Sequence, residues 1–360
     1  MSGTAANLFE IRACRPELGL QPYSGPAAWM GSEMEGDESW LYVFGLEEIE
    51  EIEAAMRAVQ QRALPLARIT RKDFPLPSLE RTFALMRSDL QDGRGFALTR
   101  GLPLRRYTLD EAQIIYWGLG AHIGRAVSQN GKGELMGHVK VVDSALSDPN
   151  KRGYMKPNEA PFHTDTCDVV SLMCWRKAKR GGESFVASAM TVHNIMLEER
   201  PDLLEQLYEP FYLDKKEEEQ PGDKPFYRLP VFSWKDGRVF TRYSRGRTET
   251  AQRLAEVPRL SDRQLEALDY LDKILRRPGV VLAMDFQVGD IQWLNNYVTF
   301  HSRNAYVDYA NPAEKRHLLR LWLSVRGGHE LPASFLDVYH GDLTPGVRGG
   351  IPPLPDAIGA

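Results

Sequence analysis

Residues 290–303 read DIQWLNNYVTFHSR and residues 316–325 read RHLLRLWLSV, and these two stretches decide the fold. Asp290-Ile291, after Gly289, opens a strand; Asn295-Asn296 turns it, and Val298-Thr299-Phe300-His301 begins another. A turn follows at Asp308-Tyr309-Ala310-Asn311-Pro312. In the run after it, alternation sets Arg316, Leu318, Arg320 and Trp322 on one face and His317, Leu319, Leu321 and Leu323 on the other. Both faces carry large apolar residues, the pattern of an interior strand with its arginines aimed into a barrel. A guanidinium buried there needs a carboxylate held by parallel hydrogen bonds. That carboxylate is either a structural Asp or Glu or one carried by a bound ligand.

The same texture extends upstream. HVKVVDS (138–144), VVSLMCWRKA (169–178), ESFVASA (183–189), RVFTRYS (238–244) and GVVLAMDF (279–286) are short β-branched or aromatic runs separated by turn residues. Many short strands of this kind imply a sandwich or barrel. GRGFALTRGLPL (93–104) adds a strand bounded by glycines. Helices are predicted around the strands. Leu46, Ile49, Ile52, Met56 and Val59 recur at helical spacing until Pro65, and Phe83, Leu85 and Leu90 mark a second helix. Thr108 with Glu111 caps a third, ahead of Ile114, Ile115 and Leu119. Thr191–Leu207 reads as one helix followed by a Pro/Glu/Lys-rich loop over 209–225. Ser261 with Gln264 caps another helix, with Leu265, Leu268, Leu271 and Leu275 on one face.

The fold class that follows is α+β: a barrel core with flanking helices and insertions, in one structural domain. Residues 1–90 form a helical and irregular segment packed on the barrel, 91–330 the core, and 331–360 an irregular Gly/Pro-rich tail that could wrap a neighbouring subunit. The 360 residues are 42% hydrophobic and 26% charged with net charge −4, so the basic surplus of a nucleic-acid binder is missing. No apolar run reaches the roughly 18 residues needed to cross a bilayer, and the first residues lack a signal-peptide pattern. Cys14, Cys167 and Cys174 include no CxxC and read as reduced thiols, the last two as small core fillers, so the chain reads as cytoplasmic.

Of eight histidines, two sit in chemically suggestive surroundings. In Pro161-Phe162-His163-Thr164-Asp165, positions 163 and 165 fall on one face of a strand, about 6–7 Å apart. HxD alone is a weak signal and reads first as a surface or hydrogen-bonded histidine. With His301, which lies in an apolar strand, it makes the two-histidine, one-carboxylate set of non-haem Fe(II) oxygenases.

GRGFALTRGLPL, FHTDTCDVVSLMC (162–174), KAKRGGESFVAS (177–188), GDIQWLNNYVTFHSR (289–303) and KRHLLRLWL (315–323) occur in one order, and in that order the chain resembles the taurine dioxygenase (TauD/TfdA) family. The resemblance spans about residues 90–325. It implies a double-stranded β-helix, or jelly roll, of the clavaminate-synthase-like kind, with His163, Asp165 and His301 as catalytic ligands of Fe(II). Arg316 stands where the family grips the distal carboxylate of 2-oxoglutarate. Ser184 replaces a family threonine that assists there, and a serine hydroxyl makes the same hydrogen bond. Arg320 matches a position that meets the substrate anion in some members and serves the cofactor in others. O2 completes the implied set, and the implied reaction couples decarboxylation of 2-oxoglutarate to succinate with C–H oxidation.

The substrate expected is a small polar molecule, carboxylate- or amine-bearing and amino-acid-like. Gln129 with Asn130, Tyr154, Arg242 with Tyr243 and Arg245, and Arg320 are the candidate pocket residues. Arg242 and Arg245 read equally as a solvated face paired with the Glu-rich 216–219 loop. Two alternatives compete: a cupin-type metal oxygenase or hydrolase without 2-oxoglutarate, which leaves Arg316 without a purpose, and a non-catalytic binding barrel. The resemblance leaves a homo-oligomer open, and no residue specifies one.

Overall fold

The period-2 runs fold as strands and the period-3.6 runs as helices in a computed structural model that describes residues 19–141 and 157–357. In chain order the core strands are β1 (Leu41–Val43), β2 (Phe96–Arg100), β3 (Arg125–Ala126), β4 (Met136–Val139), β5 (Ala160–His163) and β6 (Val169–Arg176). They continue as β7 (Ser184–Ser188), β8 (Val281–Met284), β9 (Ile291–Asn295), β10 (Thr299–Arg303) and β11 (His317–Ser324). A seven-stranded sheet runs β1–β2–β9–β6–β11–β3, with β4 also on β11, and a four-stranded sheet runs β8–β7–β10–β5. All pairs are antiparallel except β1 with β2. This is the jelly roll expected, an α+β architecture.

Alternation along β11 divides the apolar core. Leu318 and Trp322 pack between the sheets with Val170, Val186, Leu282 and Leu294. Leu319, Leu321 and Leu323 face outward against the helices α1 (Leu46–Gln61), α2 (Glu80–Asp92) and α3 (Leu109–Ile123). Each such leucine, fully buried, contributes about 1.5–3 kcal/mol. The smaller sheet buries its outer face, including Ala187 and Phe300, against α4 (Ala189–Glu199), α5 (Pro201–Leu207) and α6 (Asp262–Ile274). The hydroxyls of Thr108 and Ser261 accept the backbone N–H of Glu111 and Gln264, so both caps form where expected.

Four local expectations are corrected. The helix read over Thr191–Leu207 is two, α4 and α5. Pro201 has no N–H to continue the ladder, so it breaks the first helix and starts the second at its N1 position. Leu85 is exposed, and Met86 takes its place beside Phe83 and Leu90 on the buried face of α2. Within the segment read as a loop over 209–225, Phe211–Asp214 is a strand paired with Phe226–Leu229. The tail returns onto its own chain. Gly350 and Ile351 donate backbone N–H groups to the carbonyls of Thr166 and Ser128, and Arg348 is buried against Asp168 at 2.8 Å. No helix among the described residues is long and apolar enough to cross a membrane.

Candidate metal centre and carboxylate site

The four-stranded sheet and the loop that follows β5 bring His163, Asp165 and His301 together, with a ligand atom of each within 4.8 Å of the others. β5 and β10 pair in a register that sets His163 opposite His301, with ring centroids 4.3 Å apart. The reading of His163 and Asp165 as neighbours on one strand face is corrected here. β5 ends at His163, and Asp165 lies in the loop beyond it. That loop is held from outside: Asp165 N–H donates to Asn296 Oδ1 at 2.8 Å, and Arg242 donates to the carbonyl and hydroxyl of Thr164 and to the Thr166 hydroxyl. The three ligands still converge because the loop is braced, not because the strand continues.

The donor set fits a divalent metal. His163 Nδ1 lies 2.7 Å from the Pro161 carbonyl, which fixes that nitrogen as the N–H donor and leaves Nε2 with its lone pair. His301 Nδ1 is buried without a hydrogen-bond partner among the described residues, and its Nε2 lies 3.8 Å from Asp165 Oδ2. Burial, with His163 beside it, pushes the His301 pKa down to about 3, and burial lowers that of His163 as well, so both imidazoles are neutral ligands. For Asp165, burial alone raises the pKa. The charge of Arg320, with His301, His163 and the Trp322 hydrogen bond, outweighs it and holds the carboxyl below its ordinary range. Two neutral imidazoles and one carboxylate on one side suit Fe(II) with open positions opposite.

Arg316 is buried, and no carboxylate lies within 4.0 Å of its guanidinium among the described residues. Its Nη1 has no hydrogen-bond partner among the described residues. The guanidinium sits 4.9 Å from the Tyr306 ring centre, and Arg303 sits 4.7 Å from the same ring on β10. Burial, with Arg316 near, pushes the Arg303 pKa down to about 10. Gly182, at φ +83°, makes room: a Cβ there would stand 3.2 Å from Arg316 Nε. Two residues on, Ser184 Oγ accepts from Gln292 Nε2 at 3.2 Å. Burying a cation without an anion costs several kcal/mol, so this corner would accept a carboxylate.

The remaining candidates divide. Arg320 is at the centre, with Nη1 3.8 Å from Asp165 Oδ2. Gln129 is fully buried and its amide is engaged by Arg320 and by two backbone carbonyls, so it does not face a substrate. Both terminal nitrogens of Arg242 are bound to Thr164, Thr166 and Tyr227, which makes it a brace of the metal loop rather than a ligand grip. Tyr243 hydrogen-bonds Asp272, and Arg245 pairs with Glu249 and Asp269, so neither Arg242 nor Arg245 is seen paired with the Glu-rich loop among the described contacts. Asn130 is used locally on Glu134. Tyr154 lies outside the described residues. Cys167 and Cys174 are buried, and burial pushes the Cys174 thiol up to about 12, as for inert core fillers. Sequence reasoning missed Trp322, Asn296, Gln292 and Tyr306. Asn296 was legible only as a turn and Trp322 only as a face-mate of Arg320.

Beside the Asp165 loop, Thr166, Tyr227, Lys215, Glu218, Arg247 and His340 line an open cleft, in which Lys215 pairs with Asp223 and Arg247 with Glu218.

Comparison with known proteins gives the same picture. The model of the family described as "Taurine catabolism dioxygenase TauD, TfdA family" matches residues 60–322. FR-33289 synthase of Streptomyces rubellomurinus (strain ATCC 31215) is 33% identical over 327 residues, covering 88% of this chain and 95% of that protein. The taurine hydroxylase-like protein SAT17 of Stachybotrys chartarum (strain CBS 109288 / IBT 7711) is 31% identical over 310 residues, covering 82% and 77%. Among solved structures, asparagine oxygenase in complex with Fe(II), 2S,3S-3-hydroxyasparagine and succinate superposes with a TM-score of 0.62 at 16% identity, over 79% of this chain and 93% of that one. The non-heme iron oxygenase OrfP, in complex with Fe and alpha-ketoglutaric acid, gives 0.59 at 16% identity, with the same coverage. At that identity the structures report a shared fold.

Proposed function

We propose, from the premise that this chain belongs to the taurine catabolism dioxygenase TauD, TfdA family, that it oxidises a C–H bond of a small, anion-bearing molecule of the amino-acid kind. It is an Fe(II)- and 2-oxoglutarate-dependent dioxygenase. Iron, 2-oxoglutarate and O2 supply the oxidising chemistry, in which decarboxylation to succinate is coupled to oxidation of the substrate.

The protein's own residues divide the labour. His163, Asp165 and His301 hold the metal from one side. Arg316 takes the distal carboxylate of 2-oxoglutarate in a two-point grip, with the Ser184 hydroxyl beside it, and so fixes which end of the co-substrate meets the metal. Val186, Leu282, Leu294 and Leu318 keep the interior between the sheets apolar and limit water there. The single observation that carries this reading is the buried Arg316 guanidinium with no carboxylate against it among the described residues. A cupin-type metal oxygenase without 2-oxoglutarate gives that arginine nothing to bind.

For the substrate, Arg320 beside Asp165 supports an anionic group. The relative named for taurine and the solved oxygenase crystallised with a hydroxylated asparagine support an amino-acid-sized molecule. The test is succinate release from 2-oxoglutarate, with Fe(II) and O2, across a panel of amino acids, aminosulfonates and aminophosphonates. Stimulation by members of this panel, and not by matched amines lacking the anion, is expected. Equal stimulation by those amines would overturn the substrate assignment.

A further inference from the structure

Gln129 was read from the sequence as a pocket residue, and the structure gives it a different occupation. Its side chain is 1% exposed. Nε2 donates to the carbonyls of Arg320 at 2.8 Å and Leu135 at 3.1 Å, while Oε1 accepts from Arg320 Nε at 2.7 Å. The amide has one possible sense here. Reversed, it would set its oxygen against two carbonyl oxygens and its NH2 against a cationic N–H.

The strand opposite is shaped for this contact. In the β4–β11 ladder the residue facing Arg320 is Gly137. A Cβ at Gly137 would stand 2.7 Å from Gln129 Oε1 and 3.6 Å from Arg320 Cβ. The absent side chain is the space the amide fills. Arg320 is then held at its Nε edge by Gln129 and across its face by Trp322, whose ring centre is 5.0 Å away. The Nη end is what remains to point at Asp165 Oδ2, 3.8 Å off. The choice of an amide matters. A glutamate would also accept from Nε, but it would cancel the charge that Asp165 faces, whereas glutamine orients the guanidinium and leaves its charge intact.

We propose that Gln129, seated over Gly137, is a positioning residue that sets the direction of Arg320 toward Asp165 and thereby the affinity of the His163/Asp165/His301 centre for its metal. It touches no ligand of the metal and acts through Arg320. The proposal rests on the reading of that triad as a metal centre.

The test is anaerobic titration with Co(II) as a spectroscopic stand-in for Fe(II), on wild type, Gln129→Met, Arg320→Met, the double variant, and Gly137→Ala. Thermal midpoints of the metal-free proteins are measured beside it. Gln129→Met keeps the volume and loses every hydrogen bond. It is expected to weaken Co(II) binding about tenfold, at the low end for residues that orient metal ligands, and to change the visible d–d bands. In the Arg320→Met background the same replacement is expected to change neither. Gly137→Ala, which displaces the amide without altering it, is expected to reproduce the Gln129→Met spectrum and keeps the test alive if Gln129→Met does not fold. An unchanged affinity in Gln129→Met, or an equal loss in both backgrounds, overturns the positioning role while leaving the metal centre standing. Absence of Co(II) binding by wild type overturns both.

Discussion

Trp322 Nε1 donates a 3.0 Å hydrogen bond to Oδ2 of Asp165, joining the middle of β11 to the carboxylate of the metal triad. β11 also carries Arg320 and follows directly on Arg316, so one strand supplies both the orienting donor and the balancing charge, next to the arginine proposed to grip the co-substrate. The indole spends its only donor on a carboxylate oxygen, which leaves the other oxygen to a metal.

Trp322→Phe keeps the aromatic bulk between the sheets and removes that donor. Hydrogen bonds to charged acceptors are worth about 1.5–3 kcal/mol, and residues that orient metal ligands typically change affinity 10–100-fold. The variant is expected to fold and to bind Fe(II) at least about tenfold more weakly by anaerobic equilibrium titration.

Arg316→Met is expected to leave metal affinity within about twofold and to weaken 2-oxoglutarate by roughly 30- to 150-fold, the equivalent of about 2–3 kcal/mol. Arg316→Lys should recover only part, because an ammonium cannot make the two parallel bonds. Because the bare guanidinium is itself costly, the methionine variant should be no less stable than wild type when no 2-oxoglutarate is present. Calorimetry with and without 2-oxoglutarate checks both statements.

Acid should unfold the protein before its carboxylates protonate. Burial pushes the pKa of His193 down to about 4, and burial with His138 beside it takes His317 to about 4 as well. Above pH 6.5 both states hold these rings neutral and stability does not depend on them. Between 6.5 and 4 the unfolded chain takes a proton that the native chain refuses, so stability falls with pH by up to about 1.4 kcal/mol per unit per ring, and levels off below 4. Urea unfolding between pH 7 and 4.5 should show this slope, and His193→Gln should lower it by about one proton.

The tail should contribute stability through one glycine. Gly350 has φ +81°, and a Cβ there would stand 2.6 Å from the Ser128 carbonyl, while Gly341 at φ +83° has nothing within 4 Å. Gly341→Ala carries only the conformational cost of about 1–2 kcal/mol. Gly350→Ala also has to move the strap off the Ser128 and Thr166 backbones, and its thermal midpoint should fall further than that of the Gly341 variant.

How far the molecule was legible follows sequence separation. The alternation of β11, the two capping boxes and the convergence of His163, Asp165 and His301 rest on local pattern or on the resemblance, and all are found. The Arg200-Pro201 break was also written locally, in a proline that suits a helix start. What pattern could not reach is held by distant partners. Trp322 is 157 residues from Asp165, Asn296 is 131 from it, and Gln129 is 191 from Arg320. In sequence Trp322 reads as a face residue, Asn296 as a turn residue and Gln129 as a pocket residue. Only the register of β4, β6 and β11 turns them inward onto one another.

The most direct test of the central claim is an anaerobic titration with Fe(II) and then 2-oxoglutarate, followed by the weak visible charge-transfer band of the bound pair. Wild type should develop the band, His301→Ala should not, and Arg316→Met should need far more 2-oxoglutarate to reach it. Iron binding without any response to 2-oxoglutarate in wild type would contradict the account.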